Sequence, residues 1–104
     1  MNNTAISFVH VDAVQPEALG PGVNVRALFP TEHAISWIVD FAPGSTLPAV
    51  DVHATEERYF VVSGELIEGD VRHGPGTFVV QAPGSSHRPR TETGARILGF
   101  AIAE

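Results

Sequence analysis

The stretch that decides the reading is Asp51-Val52-His53-Ala54-Thr55-Glu56-Glu57-Arg58-Tyr59-Phe60-Val61-Val62-Ser63-Gly64. Asp51, His53 and Glu57 stand at even spacings. In an extended strand, even spacing sends side chains to one face, so this run predicts all three pointing into one interior. A helix over Ala54 to Val62 would also put His53 and Glu57 on one face at i,i+4. Pro48 upstream and the Tyr-Phe-Val-Val run favour the strand. A second stretch, Ala82-Pro83-Gly84-Ser85-Ser86-His87, delivers another histidine from a Pro-Gly turn. Two imidazoles with one or two carboxylates suit a first-row divalent metal.

Outward from this stretch the chain reads as strands. Ile6 to Val11 alternates and predicts a first strand, and Asp12 to Gly22, with two prolines and two glycines, predicts a loop. Val23 to Phe29 and Ala34 to Ala42 are strand candidates. In the latter, Ile35, Trp37, Val39 and Phe41 share a face opposite Ser36 and Asp40. Glu65 to Ile67 and Val71-Arg72 read as a hairpin around Gly69-Asp70. Thr77 to Gln81, a segment from His87 to Thr91, and Arg96 to Ala103 complete the set. Short strands broken by Gly and Pro about every ten residues predict an all-β sandwich or barrel with a lined interior.

Composition narrows the chemistry. The 104 residues predict one small domain with a single core. Cys is absent, which removes disulfides, cysteine metal clusters and thiol nucleophiles. All six basic residues are Arg, so Schiff-base chemistry and a P-loop lysine are excluded as well. Twelve acidic residues against six Arg give a net charge of -6, which disfavours a nucleic-acid partner. No basic-then-apolar leader and no apolar run of the ~20 residues a membrane helix needs are present, so the expectation is a soluble cytoplasmic protein with no membrane partner.

His53-x3-Glu57-x6-Gly64 resembles the core of the first cupin motif, which runs Gly-x5-His-x-His-x3-4-Glu-x6-Gly. Gly76, Gly84 and His87 approach the second, Gly-x5-Pro-x-Gly-x2-His-x3-Asn. The two together cover roughly residues 44 to 91. Asp51 stands where the family has its first histidine, after a spacer from Gly44 one residue longer. Pro83 falls one place late, and Thr91 replaces the asparagine. The run Gly76-Thr77-Phe78-Val79-Val80-Gln81-Ala82-Pro83-Gly84-Ser85-Ser86-His87-Arg88-Pro89 is most similar to the zinc-binding cupin domain of bacterial anti-sigma factors and its stand-alone relatives. Some of those relatives resemble small-carbonyl dioxygenases. The helical sigma-binding domain of full anti-sigma factors has no counterpart here, which argues against direct sigma binding.

The resemblance implies a single-domain cupin over 1-104, a jelly-roll β-barrel with one divalent metal (Fe, Mn, Ni or Zn). His53, Glu57 and His87 are the implied ligands, and Asp51 is a fourth ligand, a hydrogen-bond partner of a ligand histidine, or turned away altogether if the extra residue bulges the strand. Tyr59, on the parity of Glu57, is either packed with a satisfied hydroxyl or an acid or donor to substrate; with Glu57 it forms the candidate catalytic pair. Trp37, Val39 and Phe41 fill core, with Trp37 alternatively walling an apolar pocket, and Phe78 and Phe100 carry the same alternative. Glu56, Arg58, Arg88 and Arg90 read as solvated or interface positions. His10, His33 and His73 read as surface residues. Apolar side chains on both strand faces, such as Phe60 beside Tyr59, predict a homodimer. Two functions follow: a metal-dependent enzyme on a small carbonyl or aromatic compound, by oxygenation or by non-redox isomerase or lyase chemistry, and a non-catalytic metal- or ligand-responsive module.

Overall fold

The computed structural model describes residues 5–103, so residues 1–4 and 104 of the expected domain lie outside the described part. Among the described residues ten strands form three antiparallel sheets. The largest has the order β1 (Glu17–Gly20), β2 (Val23–Leu28), β3 (Ala34–Phe41), β10 (Ala95–Ile102), β5 (Glu57–Gly64) and β8 (Phe78–Gln81). β4 (Asp51–Val52) pairs with β9 (Ser86–His87), and β6 (Leu66–Glu68) with β7 (Val71–His73). This is the all-β jelly roll of a cupin, although the ladders do not join into one continuous hydrogen-bonded cylinder.

The centre of the large sheet is built from the residues that suit a pleated, buried surface. On its inner face Val23, Val39, Phe41, Tyr59, Val61, Ala95 and Ile97 make one core cluster, closed from the opposite side by Leu66 of β6. Register places Val25, Val39, Ile97 and Val61 in one cross-strand row. Such rows of β-branched side chains are the unit of sheet stabilisation. β5 stops at Gly64 for a steric reason. Its φ is +72°, and a Cβ there would stand 2.0 Å from the carbonyl oxygen of Gly94 and 2.8 Å from Ala95 Cα. Only glycine has both the φ range and the missing side chain.

Three expectations are corrected. Ile6 to Val11 is not a strand: residues 5–10 have no regular structure, and Val11–Ala13 form a single 3-10 turn. An isolated β segment finds no ladder, and Ile6 and Phe8 stay 88% and 90% exposed. Asp12 to Gly22 is not all loop, because Glu17–Gly20 forms edge strand β1 with an irregular register between Ala18 and Gly20. The single metal strand is broken, with β4 ending at Val52 and β5 beginning at Glu57. His53 sits in the gap, so parity along one strand does not explain its direction. The β6–β7 hairpin, β3 and β10 form where the sequence predicts them.

Candidate metal centre and pocket

His53 is aimed by a turn thirty residues away. Its N–H donates to Ser85 O at 2.9 Å, and its carbonyl accepts from Gly84 N at 2.8 Å. The turn is tight because Ser85 N donates to Ala82 O at 3.0 Å and Gly84 takes φ +85°. Two backbone bonds therefore splice the gap between β4 and β5 onto the Ala82–Ser85 turn, and His53 is left 1% exposed. His87 follows from the same turn, and β4–β9 register sets it directly across from Asp51.

Asp51, His53 and His87 converge, with one ligand atom of each within 4.8 Å of the others. Asp51 Oδ2 lies 3.1 Å from His53 Nε2 and 3.3 Å from His87 Nε2. Glu57 stands beside the group, its Oε1 4.0 Å from His53 Nε2. Tyr59 is buried further along β5, and its hydroxyl donates to Glu68 Oε2 in a short contact.

The outer nitrogens of both rings are fixed. Ser85 Oγ donates to Ala82 O at 2.6 Å, which consumes its one proton. Its contact with His53 Nδ1 at 3.0 Å therefore requires Nδ1–H as donor. On the other ring, His87 Nδ1 donates to Glu68 Oε1 at 2.8 Å. Both neutral rings then present an Nε2 lone pair to the Asp51 carboxylate oxygen. Three electron-pair donors face one another, which is repulsive unless a cation or a shared proton lies between them. Gln81 Nε2, 3.1 and 3.2 Å from the two His87 nitrogens, can donate to His87 but leaves the His53 Nε2 lone pair facing the Asp51 carboxylate. A divalent cation bound by neutral imidazoles and a carboxylate fits this donor set, with Ser85 and Glu68 as the partners that orient the rings.

Charge in the site follows from burial. Burial pushes the Glu57 carboxyl above its ordinary value, with Asp51 adding to the rise and His53 and His87 opposing it. Burial and the bond to Glu68 raise the Tyr59 phenol strongly, so it stays protonated. For Glu68, burial opposes ionisation, but the hydrogen bonds from His87 and Tyr59 outweigh it and hold its carboxyl below the usual range. His87 is the mirror case: burial works against protonation, yet Glu68 and Asp51 raise its pKa.

A pocket of about 410 Å³ opens beside this group. Asp51, Glu57, Tyr59, Gln81 and His87 form its polar side, while Trp37, Val39, Phe41, Ile97, Leu47 and Pro89 are among its apolar lining. The loop from Leu47 to Val50 walls it and is held by Arg88, whose Nε donates to Leu47 O at 2.8 Å. Arg88 is thus a loop clamp and not simply a solvated position. His73 also departs from a surface role: it is half-buried, its ring edge-on to Tyr59 with centroids 6.5 Å apart. Phe78 and Phe100 pair at 6.3 Å on the outward side, away from the pocket. Ser85, Glu68 and Gln81 were not singled out from sequence. Ser85 lies inside a motif stretch and so carried a signal, but Glu68 reads only as a polar residue ahead of a Gly-Asp turn.

Fold and site together define a small cupin with a candidate two-histidine, one-carboxylate metal centre. Residues 4–101 match the ChrR cupin-like domain, and the chain belongs to that family. The chain is 37% identical over 76 residues to a Cereibacter sphaeroides protein carrying the name dimethylsulfoniopropionate lyase DddL. That match covers 72% of this chain and 31% of the relative, so the chain spans about a third of the curated relative's length. Among solved structures, it resembles an acetylacetone dioxygenase from Acinetobacter johnsonii (TM-score 0.81, 15% identity, 98% of this chain and 77% of the other). It also resembles a chain of the Rhodobacter sphaeroides SigE complex with the anti-sigma factor ChrR (TM-score 0.77, 22% identity, 88% and 50% covered). Among the described residues no helix is long and apolar enough to cross a membrane.

Proposed function

We propose that this chain is a divalent-metal cupin enzyme that moves a proton on a small, largely apolar carbonyl compound, in the manner of a lyase or isomerase. The observation that carries this is a carboxylate outside the converging triad: Glu57 lies between the candidate metal group and an apolar pocket of about 410 Å³. A metal held by Asp51, His53 and His87 would supply polarisation of a carbonyl oxygen, with Glu57 beside it left free of the cation. Glu57, a stronger base because burial raises its pKa, would then take a proton from the adjacent carbon. Tyr59, kept protonated, would serve as a donor at the same wall and not as a base. The name carried by the curated relative, a lyase, supports the non-redox branch. Oxygenation, the activity named for a structural neighbour, is the alternative within the enzyme class.

The test is deuterium wash-in at the α-carbon of simple ketones, followed by NMR with the metal-loaded protein, beside metal quantitation. Exchange that needs metal, and that Glu57→Gln abolishes while metal content persists, supports the reading. Stoichiometric metal with oxygen consumption and no exchange overturns it in favour of an oxygenase. Stoichiometric metal with neither overturns it in favour of a metal-responsive binding module, the reading favoured by the likeness to the ChrR complex. We further propose a cytoplasmic homodimer without nucleic-acid or membrane partners, supported by the acidic charge and by the outward apolar side chains.

A further inference from the structure

Trp37 is placed unlike a core tryptophan. Its β3 position pairs with Gly99 of β10, which pairs in turn with Tyr59 of β5. The glycine is what lets the indole lie across β10. A Cβ at residue 99 would stand 2.3 Å from Trp37 Nε1, 2.5 Å from Cε2 and 2.9 Å from Cζ2. The nitrogen edge therefore lies over the bare Gly99 backbone, turned along the inner face toward Tyr59.

That indole N–H has no hydrogen-bond partner among the described residues. No buried side-chain nitrogen or oxygen lacks a partner there, so Nε1 keeps access to open space. Trp37 lines the pocket, so this N–H is a donor left free for whatever enters it. The Tyr59 hydroxyl is committed to Glu68, and the Gln81 amide is turned to His87. The lining includes two carboxylates, Asp51 and Glu57, and no Arg.

We propose that the Trp37 indole N–H is a ligand-anchoring donor, which binds an oxygen acceptor on a small molecule whose apolar body fills the pocket. This rests on reading the pocket as a substrate chamber and extends it to a substrate class: neutral compounds with a ketone, ester or ether oxygen on a compact ring or branched carbon frame. A carboxylate is disfavoured at the Trp37 end of the wall, because the lining holds no Arg and includes the carboxylates Asp51 and Glu57.

The chain has one tryptophan, so its indole N–H gives a single resonance in a ¹⁵N–¹H spectrum. The experiment titrates metal-free and zinc-loaded protein with cyclohexanone and, at equal concentration, with cyclohexene, which has a similar frame without the oxygen. A downfield move of the indole proton with the ketone alone is expected. In Trp37→Phe, cyclohexanone binding followed by ligand-observed NMR is expected to weaken about threefold to tenfold, the contribution of one neutral hydrogen bond. Equal shifts with both compounds, no shift at saturation, or undiminished binding by the variant would each overturn the proposal. The wild-type titration stands by itself if the variant does not fold. The metal-free arm reads the donor even if no metal binds, which separates its failure from failure of the metal site.

Discussion

Ser85→Ala gives the sharpest test of how the metal centre is oriented. The substitution removes one oxygen, the acceptor of His53 Nδ1–H at 3.0 Å, and leaves the turn's backbone bonds in place. His53 is 1% exposed, so an unpaired Nδ1–H would cost roughly 1–3 kcal/mol. The metal-free protein has a way out. The ring takes the other tautomer and donates Nε2–H to Asp51 Oδ2, 3.1 Å away. That relieves the folded state and removes the lone pair a metal needs. The variant should therefore unfold within about 1 kcal/mol of the wild type without metal, and bind metal ~10–100-fold more weakly, or about 1.4–2.7 kcal/mol. With free zinc well above both dissociation constants, that difference carries directly into stability. At about 4–8 °C per kcal/mol for a domain of this size, the zinc-bound melting temperature should fall by roughly 5–20 °C. Thermal unfolding with and without zinc measures both, and exposed Ser86→Ala is the control. If Ser85→Ala loses as much stability without zinc as with it, the tautomer argument is wrong and Ser85 is merely part of the turn.

Other residues give independent tests. Tyr59→Phe removes a bond to an ionised carboxylate while keeping the ring in the core, and should cost about 1.5–3 kcal/mol in urea unfolding; a loss under 0.5 kcal/mol would mean that the contact stabilises nothing. Gly64→Ala must place a Cβ 2.0 Å from Gly94 O and should prevent folding or cost more than ~3 kcal/mol, whereas Gly69→Ala, also at positive φ but with nothing within 4 Å, should cost about 1 kcal/mol. Similar values for the two would refute the clash. For the proposed dimer, light scattering should give twice the chain mass, and Phe78→Asp on edge strand β8 should give a monomer. A wild-type monomer mass would remove that proposal.

Much of this architecture is legible in the chain because it is local. β3 and β10 are long, mostly apolar runs free of proline, and the β6–β7 hairpin is fixed by Gly69-Asp70, so pattern and structure agree there. The sequence makes His53, Glu57 and His87 the triad with Asp51 as a possible fourth, whereas the structure brings Asp51, His53 and His87 together and leaves Glu57 beside them. Even spacing along one strand is broken at His53, whose backbone bonds to the Ala82–Ser85 turn instead. A tertiary contact overrode the propensity of the run, and it still delivered the side chain to the same interior. β1 escaped notice because Pro16, Pro21 and Gly22 punctuate it, and an edge strand needs only one partner to exist. Glu68 was illegible for a different reason. Its role depends on bringing β6 against Tyr59 and His87, a pairing no short-range pattern encodes.

The placement of Asp51 bears on which chemistry this centre supports. In the motif the chain resembles, that position carries a third imidazole; here it is a carboxylate, directly across the β4–β9 ladder from His87. The exchange replaces a neutral donor with an anionic one, so a bound divalent ion keeps less of its positive charge for the substrate. An ion so neutralised polarises a carbonyl less strongly. In the proposed reaction a second carboxylate at Glu57, its pKa raised by burial and its Oε1 4.0 Å from His53 Nε2, would regain the lost assistance. On the proposed reading the two acids would divide the work, with Asp51 holding the cation and Glu57 handling the proton. Asp51→His should separate these roles. It restores positive charge at the metal and favours ionisation of Glu57, since one of the influences raising its carboxyl is the Asp51 charge. Metal binding is expected to survive in this variant, while metal-dependent deuterium exchange shifts its optimum to lower pH. An unshifted optimum would show that Glu57 does not carry the proton.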